Sequence, residues 1–198
     1  MSPVNLFPFK KIITAFSLLL LSCAVYAQPT YCAAGLGGAA YDAPIDSVAI
    51  VGTTLQNGTP GNPYTYSAFP ITGSTTTHLQ QGGTYTIAVN SNSGYFANIA
   101  MWIDFNQNGS FDVFEWFSVG TNIMGTTTAT FTVPLTAHTG VTGFRVRTRD
   151  NGEGSVFAYD ACTNYYSGET EDYYITIDTT LPCAGTPAVG SITGPTNI

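Results

Sequence analysis

From Ser47 onward the chain is a series of short apolar or alternating runs set between clusters of Gly, Asn, Pro and Ser. The clearest are "SVAIV" (47–51), "TYTIAVN" (84–90), "NIAMWIDF" (98–105), "TATFTV" (128–133), "GFRVRTR" (143–149) and "DYYITI" (172–177), with weaker ones near 64–67 and 114–119. Runs of this kind bounded by turn residues predict strands. No stretch after residue 27 sustains a 3.6-residue period, so no amphipathic helix is expected. "PLTAHTG" (134–140) is the best candidate for a short helical turn. Several short strands with turn-rich connections predict an all-β domain, an antiparallel β-sandwich of jelly-roll or immunoglobulin-like kind.

Alternation assigns faces. In "GFRVRTR", Phe144, Val146 and Thr148 point one way and Arg145, Arg147 and Arg149 the other. If the last strand starts early enough, Glu169, Glu171, Tyr173, Ile175 and Ile177 share a face. Paired strands carrying facing Arg and Glu rows predict a solvated charge ladder, each exposed pair contributing less than about 1 kcal/mol. A carboxylate- or sugar-binding face is the second reading of the arginines.

Composition supports strands and adds a compartment. Only 9% of the 198 residues are charged, against about 25% in ordinary globular chains. Residues 1–27 read as a secretory signal: Lys10 and Lys11, an apolar core at 12–21, and small residues ending at Ala27. The core is shorter than the ~20 residues needed to span a bilayer. "LLSC" ending at Cys23 offers a second reading, a lipid-anchored lipoprotein, although Leu21 is bulky for such a box. Removing 1–27 leaves 3 of 5 cations against 12 carboxylates, a formal charge of 3 − 12 = −9. That balance excludes nucleic acid and anionic membrane surfaces as partners.

Of the cysteines beyond residue 27, Cys32 opens the domain and Cys162 lies near its last strand, so a bridge is expected between them, two buried free thiols being the alternative. Cys183 lies in the Pro- and Gly-rich stretch 179–198, read as a linker and the start of a further, immunoglobulin-like module, with the partner of Cys183 beyond Ile198. The expected organisation is a signal at 1–27, a β-sandwich at 28–178, and that linker.

"DFNQNGSFDVFE" (104–115) carries the candidate chemistry. Asp104, Asn106, Asn108, Ser110 (by its carbonyl), Asp112 and Glu115 occupy the first, third, fifth, seventh, ninth and twelfth places, and Gly109 the sixth. This is the spacing with which an EF-hand loop offers oxygens to Ca²⁺. A metal-free turn would need only "NQNGS". It would not need three carboxylates that repel one another without a cation. The flanking "NIAMWIDF" favours strand over helix, so the loop is expected to brace a turn between strands rather than open a helix pair.

Several ordered motifs resemble the bacterial GEVED domain: "WIDFNQNGSFDVFE", "FTVP", "FRVRTR" and "SGETEDYYITI", together with the opening Tyr31–Cys32 and Cys162. Gly168, Glu169, Thr170, Glu171 and Asp172 occupy the signature, Thr170 replacing its valine. The resemblance spans roughly residues 31–178. It implies a β-rich module of a large secreted or surface bacterial protein, with no agreed catalytic activity. It leaves two placements for the signature acids: Glu169, Glu171 or Asp172 completes the metal shell, or they pair with Arg145 or Arg147.

Catalytic patterns are sparse. His78 and His138 belong to no zinc motif, and there is no G-x-S-x-G elbow. Glu169 and Glu171 as a glycosidase pair is the surviving enzymatic option. The expected function is a non-catalytic module for adhesion or accessory binding to a glycan or surface protein, with Trp102 or Trp116 as a stacking platform if exposed, although Trp102 reads first as core. The alternative is a structural spacer in a secreted multidomain hydrolase.

Overall fold

The computed structural model describes residues 30–33, 36, 38, 42–62, 65–92 and 94–180. The expected signal (with Cys23) and nearly all of the expected linker (with Cys183) lie outside the described residues. Ten strands follow in order: β1 (Ser47–Ile50), β2 (Gln56–Gly58), β3 (Tyr66–Ala68), β4 (His78–Gln80), β5 (Thr84–Ser91), β6 (Ala97–Ile103), β7 (Trp116–Ile123), β8 (Gly125–Thr132), β9 (Gly140–Asp150) and β10 (Thr170–Asp178). They form a four-stranded sheet, β2-β1-β5-β8, and a six-stranded sheet, β3-β10-β9-β6-β7 with β4 also on β10. The second sheet is mixed rather than purely antiparallel, because β3 and β4 both run parallel to β10. "PLTAHTG" holds a single turn closed by the Ala137 N–H on the Pro134 carbonyl, not a helix.

The two sheets enclose one core. Ile87, Val89 and Phe131 from the smaller sheet meet Met101, Ile103, Phe144, Val146, Tyr173 and Ile175 from the larger. Each fully buried side chain of this size contributes about 1.5–3 kcal/mol. Every residue of β6 is buried. Its inner face meets the core. Its outer face, with Ala100 and Trp102, lies beneath Val156, Ala161 and Tyr165 from the excursion between β9 and β10. Burial on both faces is why "NIAMWI" reads as a continuous apolar run. Trp102 is therefore core and no stacking platform.

The excursion also corrects the reading of the arginines. The alternation is as expected, but the outer face is not the surface: Arg145 and Arg147 are both 0% exposed. The register sets Arg145 between Trp102 and Asp172, and Arg147 between Ala100 and Thr170. Glu169 and Glu171 align instead with Thr148 and Val146, on the inner face. The Arg and Glu rows are thus on opposite faces, and no such ladder forms.

Arg145 Nε and Nη2 donate to the Asp172 carboxylate at 2.6 and 2.7 Å, and its remaining hydrogens go to the carbonyls of Ala161 (2.7 Å) and Cys32 (2.6 Å) and to Cys32 Sγ (3.0 Å). Arg147 donates to the Thr170 hydroxyl and to the carbonyls of Asp160 and Thr163, and stacks 4.2 Å from the Tyr165 ring centroid. The buried guanidinium groups hold the irregular covering segment by its backbone carbonyls, which a solvated row would leave to water. Cys32 and Cys162 are bonded, with Cα atoms 5.9 Å apart, and tie residues 30–33 to the same segment. Gly168 enters β10 with φ +78°, and a Cβ there would collide with the Thr148 backbone, so the turn requires glycine.

Candidate metal centre

β6 and β7 pair antiparallel, with Trp102 opposite Trp116, so residues 104–115 close a β-hairpin. Glycine and a tolerated left-handed residue make the reversal: Gly109 has φ +81° and Gln107 φ +53°. The backbone N–H groups are gathered onto the side-chain oxygens. Asp104 accepts from Asn108 N–H at 3.1 Å and Gly109 N–H at 3.0 Å, Asn106 Oδ1 from Asn108 N–H at 3.0 Å, and Asn108 Oδ1 from Ser110 N–H at 2.8 Å. Glu115 returns from the far end, its two oxygens accepting from Asn106 N–H and Asp112 N–H at 3.2 and 2.9 Å. The amide hydrogens of Asn106 and Asn108 both rest on Asp112 Oδ2 at 2.9 Å. Among the described residues, no three His, Cys, Asp or Glu side chains close into a metal-binding group; two of the loop's side-chain donors are amides.

The electrostatics leave a positive charge wanting. Residues 104–115 hold three carboxylates and no cation. Asp104 and Glu115 are fully buried. Burial pushes the Glu115 carboxyl up, and the charges of Asp104 and Asp112 add to this against the two backbone N–H bonds. Hard carbonyl and carboxylate oxygens are the donor set that Ca²⁺ takes, so the residues present fit the ion.

Around the loop the structure adds partners that its spacing does not reveal. Gly143 N–H donates to Tyr31 Oη at 2.9 Å, and Tyr31 donates to Asp104 at 2.8 Å. Tyr31 stacks on Phe111 with ring centroids 4.3 Å apart, and Arg145 sits 4.9 Å over the other ring partner, Phe111. The Thr142 hydroxyl donates to the Asp104 carbonyl. The loop is thereby joined to the 30–33 strap and to β9. No local motif marks Tyr31, which lies 73 residues from Asp104.

The signature acids do not reach the loop. Asp172 pairs with Arg145, one of the two placements left open by the sequence. Glu169 accepts from Ile45 N–H at 3.0 Å and Asn62 Nδ2 at 2.8 Å. Glu171 accepts from Thr59 Oγ1 at 2.8 Å and Tyr173 Oη at 2.5 Å. Glu171 stands on the inner face, whereas Asp104 meets Tyr31, beside Arg145 on the outer one. The structure therefore separates Glu171 from the other candidate ligands.

Burial raises the Glu169 carboxyl to about 8, with the Glu171 charge adding to it, and raises Glu171 to about 7. Thr59 Oγ1 has one hydrogen and two acceptor neighbours, Ile45 O at 3.0 Å and Glu171 at 2.8 Å, an arrangement that a protonated Glu171 satisfies. Folded values above the unfolded ~4.3 mean that the folded state keeps protons the unfolded chain has lost. Their contribution is complete below that unfolded value and is lost as pH rises through about 7 and 8. In EGTA, the urea midpoint should therefore fall between pH 5 and pH 9, and Glu171→Gln should flatten the lower part of that fall.

Residues 98–176 span both the hairpin loop and the acidic signature. They match the GEVED domain. The resemblance read from the sequence holds over this matched stretch, which carries the loop, both buried arginines and Cys162. No curated protein matches the chain. The solved structures to which the chain is distantly similar include these two. One is the PKD domain of an M14-like peptidase from a Thermoplasmatales archaeon, at 15% identity and TM-score 0.31, covering 50% of this chain and 84% of that one. The other is a family 123 glycoside hydrolase from Clostridium perfringens, at 12% identity and TM-score 0.29, covering 55% of this chain and 23% of that one. At these scores neither bears on function.

Proposed function

We propose that residues 28–178 form a calcium-braced, non-catalytic module of a larger secreted or cell-surface protein, serving adhesion or accessory binding. The observation that carries this reading is the hairpin loop, where three carboxylates are drawn together with Glu115 fully buried and no cation of the loop's own. Bound Ca²⁺ would supply the missing charge, held by Asp104, Asn106, Asn108, the Ser110 carbonyl, Asp112 and Glu115. The two asparagines would turn their amide oxygens to it, releasing the hydrogens now on Asp112. Because the loop joins two paired strands, the ion would fix a turn and not drive an opening.

The Cys32–Cys162 bond suits an oxidising compartment. Among the described residues, no helix is long and apolar enough to cross a membrane. A non-catalytic role is supported by the burial of Glu169 and Glu171, each engaged by neighbouring donors. The spacer reading, a structural domain within a secreted multidomain hydrolase, differs in predicting no ligand at all.

Calorimetric titration tests the brace. The wild-type chain should bind one Ca²⁺ with a Kd below about 1 mM, the range of extracellular modules, and Mg²⁺ much more weakly. Glu115→Gln should weaken Ca²⁺ at least about tenfold, since it removes the closing ligand. Equal heats for the two proteins would remove the loop from the account.

A further inference from the structure

A second feature lies away from the loop, on the outer face of the six-stranded sheet beside its edge strand β7. A half-open cavity of about 210 Å³ is walled by Trp116, Ser118 and Thr121 from β7, Asn98 from β6, and Ser155 and Phe157 from the covering excursion. It exists because the β6–β7 register shifts: Ile99 faces Gly120 but Ala100 faces Ser118, leaving Val119 as the extra residue of a bulge. Bulges re-aim side chains at sheet edges and recur beside binding sites. Asn98 holds the cavity's shape, donating to the Gly154 carbonyl at 2.8 Å and accepting from Asn122 N–H at 2.9 Å.

The lining selects a chemical class. No ionisable side chain contributes to it. A charged ligand would find no counter-charge, and an anion would meet an acidic protein. A purely apolar ligand would leave the wall's polar groups unmatched. The hydroxyls of Ser118, Thr121 and Ser155 are exposed, and the Trp116 indole Nε1–H is buried without a hydrogen-bond partner among the described residues. Beside the mouth, Phe157 and Tyr159 stack with centroids 5.5 Å apart at 15°, and they are 48% and 70% exposed. Exposed paired rings next to neutral hydroxyls suit a ligand with both a C–H face and many hydroxyls. The volume is below the ~300 Å³ at which drug-sized sites begin and suits a single ring.

We infer that this cavity binds one ring of a neutral polysaccharide, with the adjoining sugar of the same chain lying on the outer face of Tyr159. This rests on the accessory-binding part of the reading above and is independent of calcium. It assigns the stacking role to Phe157 and Tyr159, with Trp116 as a wall.

The test is affinity electrophoresis of the whole chain, in calcium, through gels containing laminarin, xyloglucan or galactomannan, with alginate and heparin as acidic comparators. Retardation is expected on at least one neutral polymer and on neither acidic one. Tyr159→Ala and the cavity-filling Thr121→Trp should each weaken it at least about tenfold, as loss of a central anchor does. Both positions are exposed, and an unchanged urea midpoint verifies folding. Because Trp102 is fully buried, a fluorescence change on titration should report Trp116. Retardation that survives both variants overturns the site. Retardation on acidic polymers alone overturns the ligand class while leaving an accessory-binding module. Retardation on none overturns the inference, and calcium heats measured on the same sample show separately whether the brace stands.

Discussion

Replacing Cys32 and Cys162 by serine should lower stability by about 5 kcal/mol, the entropy of leaving a loop of this size open in the unfolded chain. The bond spans 130 residues and fastens the 30–33 strap to the excursion that covers β6. A domain of this size is stable by about 5–15 kcal/mol in all, so the variant should be marginal or unfolded at 37 °C. Urea denaturation with and without reductant measures the loss. A wild-type midpoint unmoved by full reduction would show that the strap is held by its other contacts alone.

Arg145→Ala should cost about 3–5 kcal/mol, the usual effect of removing one member of a buried pair and leaving the other charged. The cost falls on Asp172, 5% exposed, and on the carbonyls of Cys32 and Ala161, which lose their donor. Arg145→Met with Asp172→Leu should recover much of it, because neither variant side chain needs a charged partner. Arg145 also touches Cys32, Nη1 lying 3.0 Å from Sγ. The cysteine and arginine variants should therefore be non-additive by about 0.5–3 kcal/mol in a double-mutant cycle. Strict additivity would mean that strap and guanidinium act separately.

Strand positions and side-chain parity were legible because both are local. "GFRVRTR" and "ETEDYYITI" each sort their residues onto two faces without knowledge of the partner strand. Which face is covered was not legible, because the cover is 151–169, a stretch with no period. It is held by arginine donors on its carbonyls, and carbonyls leave no trace in side-chain pattern. The three-residue strands β2 and β4 were too short to show alternation.

The hairpin loop could be read because all its oxygens fall within twelve consecutive positions. The placement of Glu171 could not, since it depends on the register that sets Glu171 against Val146 and Val146 against Met101. Tyr31 was hidden for the same reason: the chain separation is large and the contact is made only once β9 lies between. The neutral cavity beside β7 follows from a bulge, for which the isolated Gly120 inside "WFSVGTNI" is a local but unspecific sign.

The measurement that bears most directly on the central claim is thermal unfolding of the chain in Ca²⁺ at a hundredfold excess over the calorimetric Kd, and again in excess EGTA. At a hundredfold excess of ligand over Kd, linkage adds about 2.7 kcal/mol. For a domain of about 150 residues that is a drop of about 5–10 °C in Tm on chelation, cut to about half or less in Glu115→Gln. The same Tm in both buffers would contradict a divalent ion as the brace of the hairpin.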